Sequence, residues 1–111
     1  MNLEQLIFEI ISYGGEARAK AYQALESVRA QAPKEEVTAL LQESHDSMTK
    51  AHNIQTKLVQ AELQGEEGIQ PTLLLIHAQD QLMTAMAEKA LIEQLIDMQN
   101  EINELKKIQD K

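Results

Sequence analysis

Apolar positions recur at spacings of three and four along most of the chain, the period of a helix with one buried face. Leu3, Leu6, Ile7, Ile10, Ile11, Ala17, Ala21, Leu25 and Val28 make the first stripe. Val37, Leu40, Leu41, Met48, Ala51, Ile54, Leu58 and Val59 make the second, which Ser44 and Ser47 interrupt. Leu91, Leu95, Met98, Ile102 and Leu105 make the third, at the 4, 3, 4, 3 spacing of a coiled-coil seam. The breaks fall at Pro33 and between Gly65 and Pro71. Proline is tolerated in the first turn of a helix, where its missing N–H had no partner to lose. The pattern predicts an all-α chain of three helices, about 2–31, 33–64 and 71–109, forming one domain over residues 1–111. A short, acidic, flexible loop is expected at about 65–70.

Composition sharpens this picture. Aromatic residues are 3 % of the 111, namely Phe8, Tyr13 and Tyr22, and there is no Cys or Trp. Three long, thin, aromatic-poor helices enclose only a narrow core, which invites oligomerisation. The third helix, at about 1.5 Å per residue, is a rod of roughly 55–60 Å that overhangs its neighbours or pairs with copies of itself. The absence of cysteine excludes disulfides and thiolate chemistry. The longest wholly apolar run, Leu73–Ile76, is far short of the roughly 20 residues of a membrane span. The N-terminal segment has no basic region, so no signal peptide is expected and a cytoplasmic location is. A net charge of −8 suits a basic protein partner better than nucleic acid or an anionic membrane.

Two features break the pattern. Gly14-Gly15 lies inside the first helix, where each glycine costs about 1 kcal/mol relative to alanine. The pair marks either a kink or close helix crossing, or a gap that gives another chain or a phosphoryl group room near the backbone. The other feature is His77-Ala78-Gln79-Asp80-Gln81-Leu82-Met83-Thr84 in the third helix. His77 and Asp80 are helical neighbours at i, i+3. Counted back from Leu91, the seam passes Ala87 and Thr84, reaches Asp80, and continues to Ile76 and Leu73. Asp80 thus sits on an apolar stripe, where a carboxylate needs a cation, a donor or a proton. If copies of the helix meet there, several Asp80 carboxylates converge, and a divalent cation with oxygen ligands would resolve the clash.

The other histidines carry less. His45 and His52 are two helical turns apart, about 10 Å, and polar residues flank both. No Glu-x-x-His pair, His-Glu-x-x-His motif or glycine-rich nucleotide loop is present. What remains for His77 is nucleophilic work by the imidazole itself, with a partner supplying the other reactive group. The residues alone leave three readings open: a carrier of a group held covalently on His77, a structural oligomeric bundle without chemistry, and a metal-binding bundle centred on Asp80.

Leu74-Leu75-Ile76-His77-Ala78-Gln79-Asp80-Gln81-Leu82-Met83-Thr84 resembles the active-site helix of the lactose/cellobiose (N,N'-diacetylchitobiose)-type enzyme IIA of the bacterial sugar phosphotransferase system (PTS). Ile10–Arg18 is similar to that family's glycine-Glu-Ala-Arg segment, and Ala51–Thr56 precedes an acidic glycine loop as in the family. The resemblance implies an up-down bundle of three long antiparallel helices that assembles as a homotrimer. It implies that His77 accepts a phosphoryl group from the phosphocarrier HPr, through Nε2, and passes it to a cysteine of the sugar-specific enzyme IIB. It implies a divalent metal, magnesium, shared by the three copies of Asp80 at the trimer axis. Gln79, Gln81 and Thr84 are then candidate donors to the phosphoryl group, and Glu16 a residue that orients the site. One departure is Gln81, where the family commonly has a second histidine. Its amide can donate to a phosphoryl oxygen but cannot change charge.

Overall fold

The computed structural model describes residues 2–65 and 69–110. Three helices follow in order: α1 (Leu3–Arg29), α2 (Lys34–Leu63) and α3 (Leu73–Gln109). Each boundary has a local cause. Asn2 caps α1 by accepting from the Gln5 amide at 3.1 Å, and Thr72 caps α3 by accepting from the Leu75 amide at 3.1 Å. Pro33 sits just outside α2, where its carbonyl accepts from the Glu36 amide at 3.0 Å. α1 ends in a Schellman turn. The Gln31 amide donates to the Val28 carbonyl and the Ala32 amide to the Ser27 carbonyl, at 3.0 and 2.9 Å. Gly65, with φ of 72°, ends α2. The centre of the loop expected at about 65–70, residues 66–68, lies outside the described residues.

The chain runs up, down, up, so α2 is antiparallel to both α1 and α3. α1 is the middle helix: it packs along both others, and α2 and α3 meet only sparsely. The contact faces of α1 explain the closeness. Ala17, Ala21 and Ala24 are fully buried, and small side chains let the neighbouring backbones approach. The rod measures 66 × 20 × 18 Å.

The serines that interrupt the α2 stripe are core residues. Ser44 is fully buried and its hydroxyl donates to the Ala17 carbonyl at 2.6 Å, so a small polar group crosses the α1–α2 interface with its hydrogen bond made. The α3 seam stays outside the protomer core, where its side chains could meet copies of themselves. Leu91, Leu95, Met98, Ile102 and Leu105 are all exposed. The face of α3 that enters the protomer core is instead Ala78, Leu82, Ala85, Ile92, Ile96 and Asn103. α3 therefore carries two apolar faces, and the more regular one in sequence is the one its own chain leaves uncovered. Asn103 closes the far end of the core: its side-chain amide donates to the Val28 carbonyl at 2.9 Å, and Gln99 donates to its oxygen at 3.0 Å.

Candidate functional site

His77 stands in the second turn of α3, placed there by the Thr72 cap. Positions 77, 81, 84 and 88 share one side of α3, because steps of four, three and four residues return to nearly the same angle. That side faces α1 across a cleft of about 540 Å³, lined from α1 by Ile11, Gly14, Gly15 and Arg18 and from α3 by His77, Asp80, Gln81, Thr84 and Glu88. His77 and Glu88 mark two ends of it, about 16 Å apart along the helix axis at 1.5 Å per residue.

A charge cluster closes the Glu88 end. Arg18 Nε donates to Glu88 Oε2 at 2.8 Å and the Tyr22 hydroxyl donates to the same oxygen at 2.6 Å. The Arg18 guanidinium also lies over the Tyr22 ring, 5.0 Å from its centroid. The hydrogen bonds from Arg18 and Tyr22 hold the Glu88 carboxyl below its usual range. The hydrogen bond to Glu88 raises Tyr22 above the usual phenol value, and the same carboxylate raises Arg18. Sequence reading gave these three residues no role. Periodicity held a signal for one of them: Glu88 falls on the same face as His77, Gln81 and Thr84.

The fold brings four of the six expected site residues to the cleft: His77, Asp80, Gln81 and Thr84. It does not bring Gln79 or Glu16. Gln79 turns to the opposite side of α3, where its amide oxygen accepts from Gln55 of α2. Position 79 is two residues from both 77 and 81, roughly half a turn away from their face. Glu16 is exposed on α1 and does not line the cleft. His45 and His52 are exposed on α2 and do not line the cleft. Asp80 is exposed, at the rim of the cleft and also on the outer α3 stripe with Ile76, Leu91, Met98 and Leu105. Among the described residues no three His, Cys, Asp or Glu side chains gather to hold a metal within one chain. A single protomer offers one carboxylate at this point, a hard oxygen donor of the kind magnesium takes.

Fold and site together define a three-helix bundle with one exposed histidine, His77, lining the cleft between α1 and α3. The sequence profile described as "PTS system, Lactose/Cellobiose specific IIA subunit" matches residues 5–100. The lichenan-specific phosphotransferase enzyme IIA component of Bacillus subtilis (strain 168) is 39% identical over 102 residues, covering 92% of this chain and 91% of that one. The N,N'-diacetylchitobiose-specific EIIA component of Escherichia coli (strain K12) is 35% identical over 100 residues, covering 90% of this chain and 84% of that one. The crystal structure of the PTS cellobiose-specific enzyme IIA from Bacillus anthracis superposes with a TM-score of 0.85 at 33% identity, over 93% of both chains. The chain belongs to the lactose/cellobiose-specific enzyme IIA family of the phosphotransferase system. Among the described residues, no helix is long and apolar enough to cross a membrane.

Proposed function

We propose that this chain is the phosphocarrier between HPr and a sugar-specific enzyme IIB, with His77 as the phosphoacceptor. The observation that carries the reading is the position of His77: exposed, at one end of the α1–α3 cleft, with Gln81 and Thr84 on the same face. Nε2 of neutral His77 attacks the phosphorus of phospho-HPr. The donor's N–P bond breaks, its ring nitrogen keeps the electron pair, and Nδ1 of His77 keeps its proton. The Gln81 amide and the Thr84 hydroxyl are donors that can meet the phosphoryl oxygens, and such transfer depends on position and electrostatics more than on covalent assistance. The phosphoryl group then passes to a cysteine of enzyme IIB, driving uptake of a lactose/cellobiose/chitobiose-type sugar. The reaction takes place in the cytoplasm.

The same reading includes a homotrimer. Five regularly spaced apolar side chains stand uncovered on α3, with Leu91 and Leu105 each 64% exposed. Burying such a seam against identical copies gains about 25 cal/mol per Å2 of apolar surface. Asp80 lies on that stripe, so three carboxylates would share one divalent cation, magnesium, which offsets their mutual repulsion. The metal's contribution is to hold the assembly together.

Transfer onward is the direct test. The phosphorylated chain, separated from HPr, should discharge to purified enzyme IIB, and His77→Ala should neither charge nor discharge. Discharge by His77→Ala at the wild-type rate would remove His77 from the pathway.

A further inference from the structure

α2 and α3 meet only sparsely, and among the described residues every side-chain hydrogen bond between them starts from one amide, that of Gln55. Its nitrogen donates to the Gln79 oxygen and also stands 3.8 Å from the sulfur of Met83, within hydrogen-bond reach of a sulfur acceptor. Gln79 and Met83 are neighbours at i, i+4 on α3, so one amide spans a turn of the facing helix. A thioether is a weak acceptor, and an N–H aimed at one is a donor used below its capacity. Met83 is also open to solvent, at 54% exposure. The other methionines differ. Met48 is buried, Met86 is partly buried against the core, and Met98 is exposed on the outer α3 stripe. Among the described residues, Met83 is the one methionine whose sulfur accepts a hydrogen bond. The chain has no Cys and no Trp, so an exposed thioether is the side chain an oxidant meets first.

We propose that Met83 is a reversible oxidation site for a hydroperoxide, with Gln55 as the donor that captures the sulfoxide. A sulfur lone pair attacks the outer peroxide oxygen. The S–O bond forms, the O–O bond breaks, and the peroxide proton passes to the departing oxygen, which leaves as water or an alcohol. The thioether is oxidised by two electrons and the peroxide is reduced by two. A reductase with two thiols reverses the change, releasing the oxygen as water and forming a disulfide. The sulfoxide oxygen is a strong acceptor. A sulfur–nitrogen separation of 3.8 Å admits it, off the line between the two atoms, at ordinary hydrogen-bond length. One N–H of Gln55 then holds this oxygen while the other keeps Gln79. Gln55 favours the new S–O dipole on one lone pair and not the other, so one sulfoxide epimer predominates. Oxidation thereby exchanges a weak contact for a strong one at the tie between α2 and α3, six residues along α3 from His77. The inference stands apart from the carrier reading.

The test treats the wild type with hydrogen peroxide, and beside it Met98→Leu, alone and with Gln55→Leu or Gln55→Glu added. Peptide mass mapping locates the added oxygen, reductases specific for each epimer count the two sulfoxides, and melting is followed before and after. In the wild type Met83 should take up one oxygen at least as fast as Met98, and faster than Met48 and Met86. In Met98→Leu one Met83 epimer should exceed the other about fivefold, the worth of one hydrogen bond, and both Gln55 variants should bring the two near equality. Oxidation should leave the Tm of Met98→Leu unchanged and lower it once Gln55 is replaced. Gln55→Glu keeps the side chain's shape and loses its N–H donors, so it decides the matter if leucine disturbs the fold. Met83 left unoxidised while Met98 reacts would mean that a neighbouring copy covers it, and would overturn the proposal. Equal epimers in Met98→Leu would do the same, as would an epimer excess or a Tm response that persists without the Gln55 donors.

Discussion

Gln31 ends α1 with φ of 58°, in the left-handed region that side chains other than glycine and asparagine disfavour. Gln31→Gly should therefore stabilise the chain by about 0.5–1 kcal/mol, read as a shift in urea midpoint without a change in m-value. Asn103 works in the opposite direction. Its amide satisfies the Val28 carbonyl from inside the core, and Asn103→Ala should cost about 1–2 kcal/mol. Glu88 sets a pH dependence. Its carboxyl titrates below its usual range when folded, so the unfolded chain takes up the proton first as pH falls. The stabilisation from Arg18 and Tyr22 is full above the ordinary glutamate range and is lost as pH drops through the depressed folded value. The stability difference between wild type and Arg18→Gln should accordingly be present at pH 7 and fade in acid, followed by denaturant melts across that range. At this scale spacing was legible: His77, Gln81 and Thr84 fall on one face of α3 and line one cleft. Gln79 lies away from that cleft, against Gln55, because adjacency in sequence does not set the face of a helix. The Arg18–Glu88–Tyr22 cluster joins residues 66 and 70 positions apart, a pairing that needs the helix alignment to be known.

The helices themselves were legible to within two residues at each end, because Pro33 and the break between Gly65 and Pro71 punctuate the pattern. Their faces were less so. In α2 the serines read as interruptions, yet at an alanine-lined interface a small residue that completes its own hydrogen bond packs better than a large apolar one. In α3 the leucine seam masked the shallower inner face, since Ala78 and Ala85 mark a close approach without adding much hydrophobicity. A substitution on each face separates their roles. Ile96→Ala, on the inner face, should destabilise the protomer fold by about 2–5 kcal/mol. Leu95→Lys, on the exposed face, should leave helix content intact while dissociating the proposed trimer, seen by circular dichroism and sedimentation.

The molecule as a whole is a 66 Å rod whose middle helix carries the core, whose third helix leaves an apolar face open, and whose cleft-lining His77 lies toward one end. On the proposed carrier reading, core, assembly stripe and cleft are neighbouring faces of one bundle, and Asp80 stands where the last two meet. The fold tolerates an exposed His77, because the imidazole contributes to neither core cluster. The central claim is that this imidazole, alone among three, carries the phosphoryl group. The measurement that tests it most directly is the intact mass of wild type and His77→Ala after incubation with phosphoenolpyruvate, enzyme I and HPr. The account predicts one acid-labile phosphoryl group on the wild type and none on the variant. A label on both would mean that another residue is the acceptor, and a label on neither would contradict the carrier reading altogether.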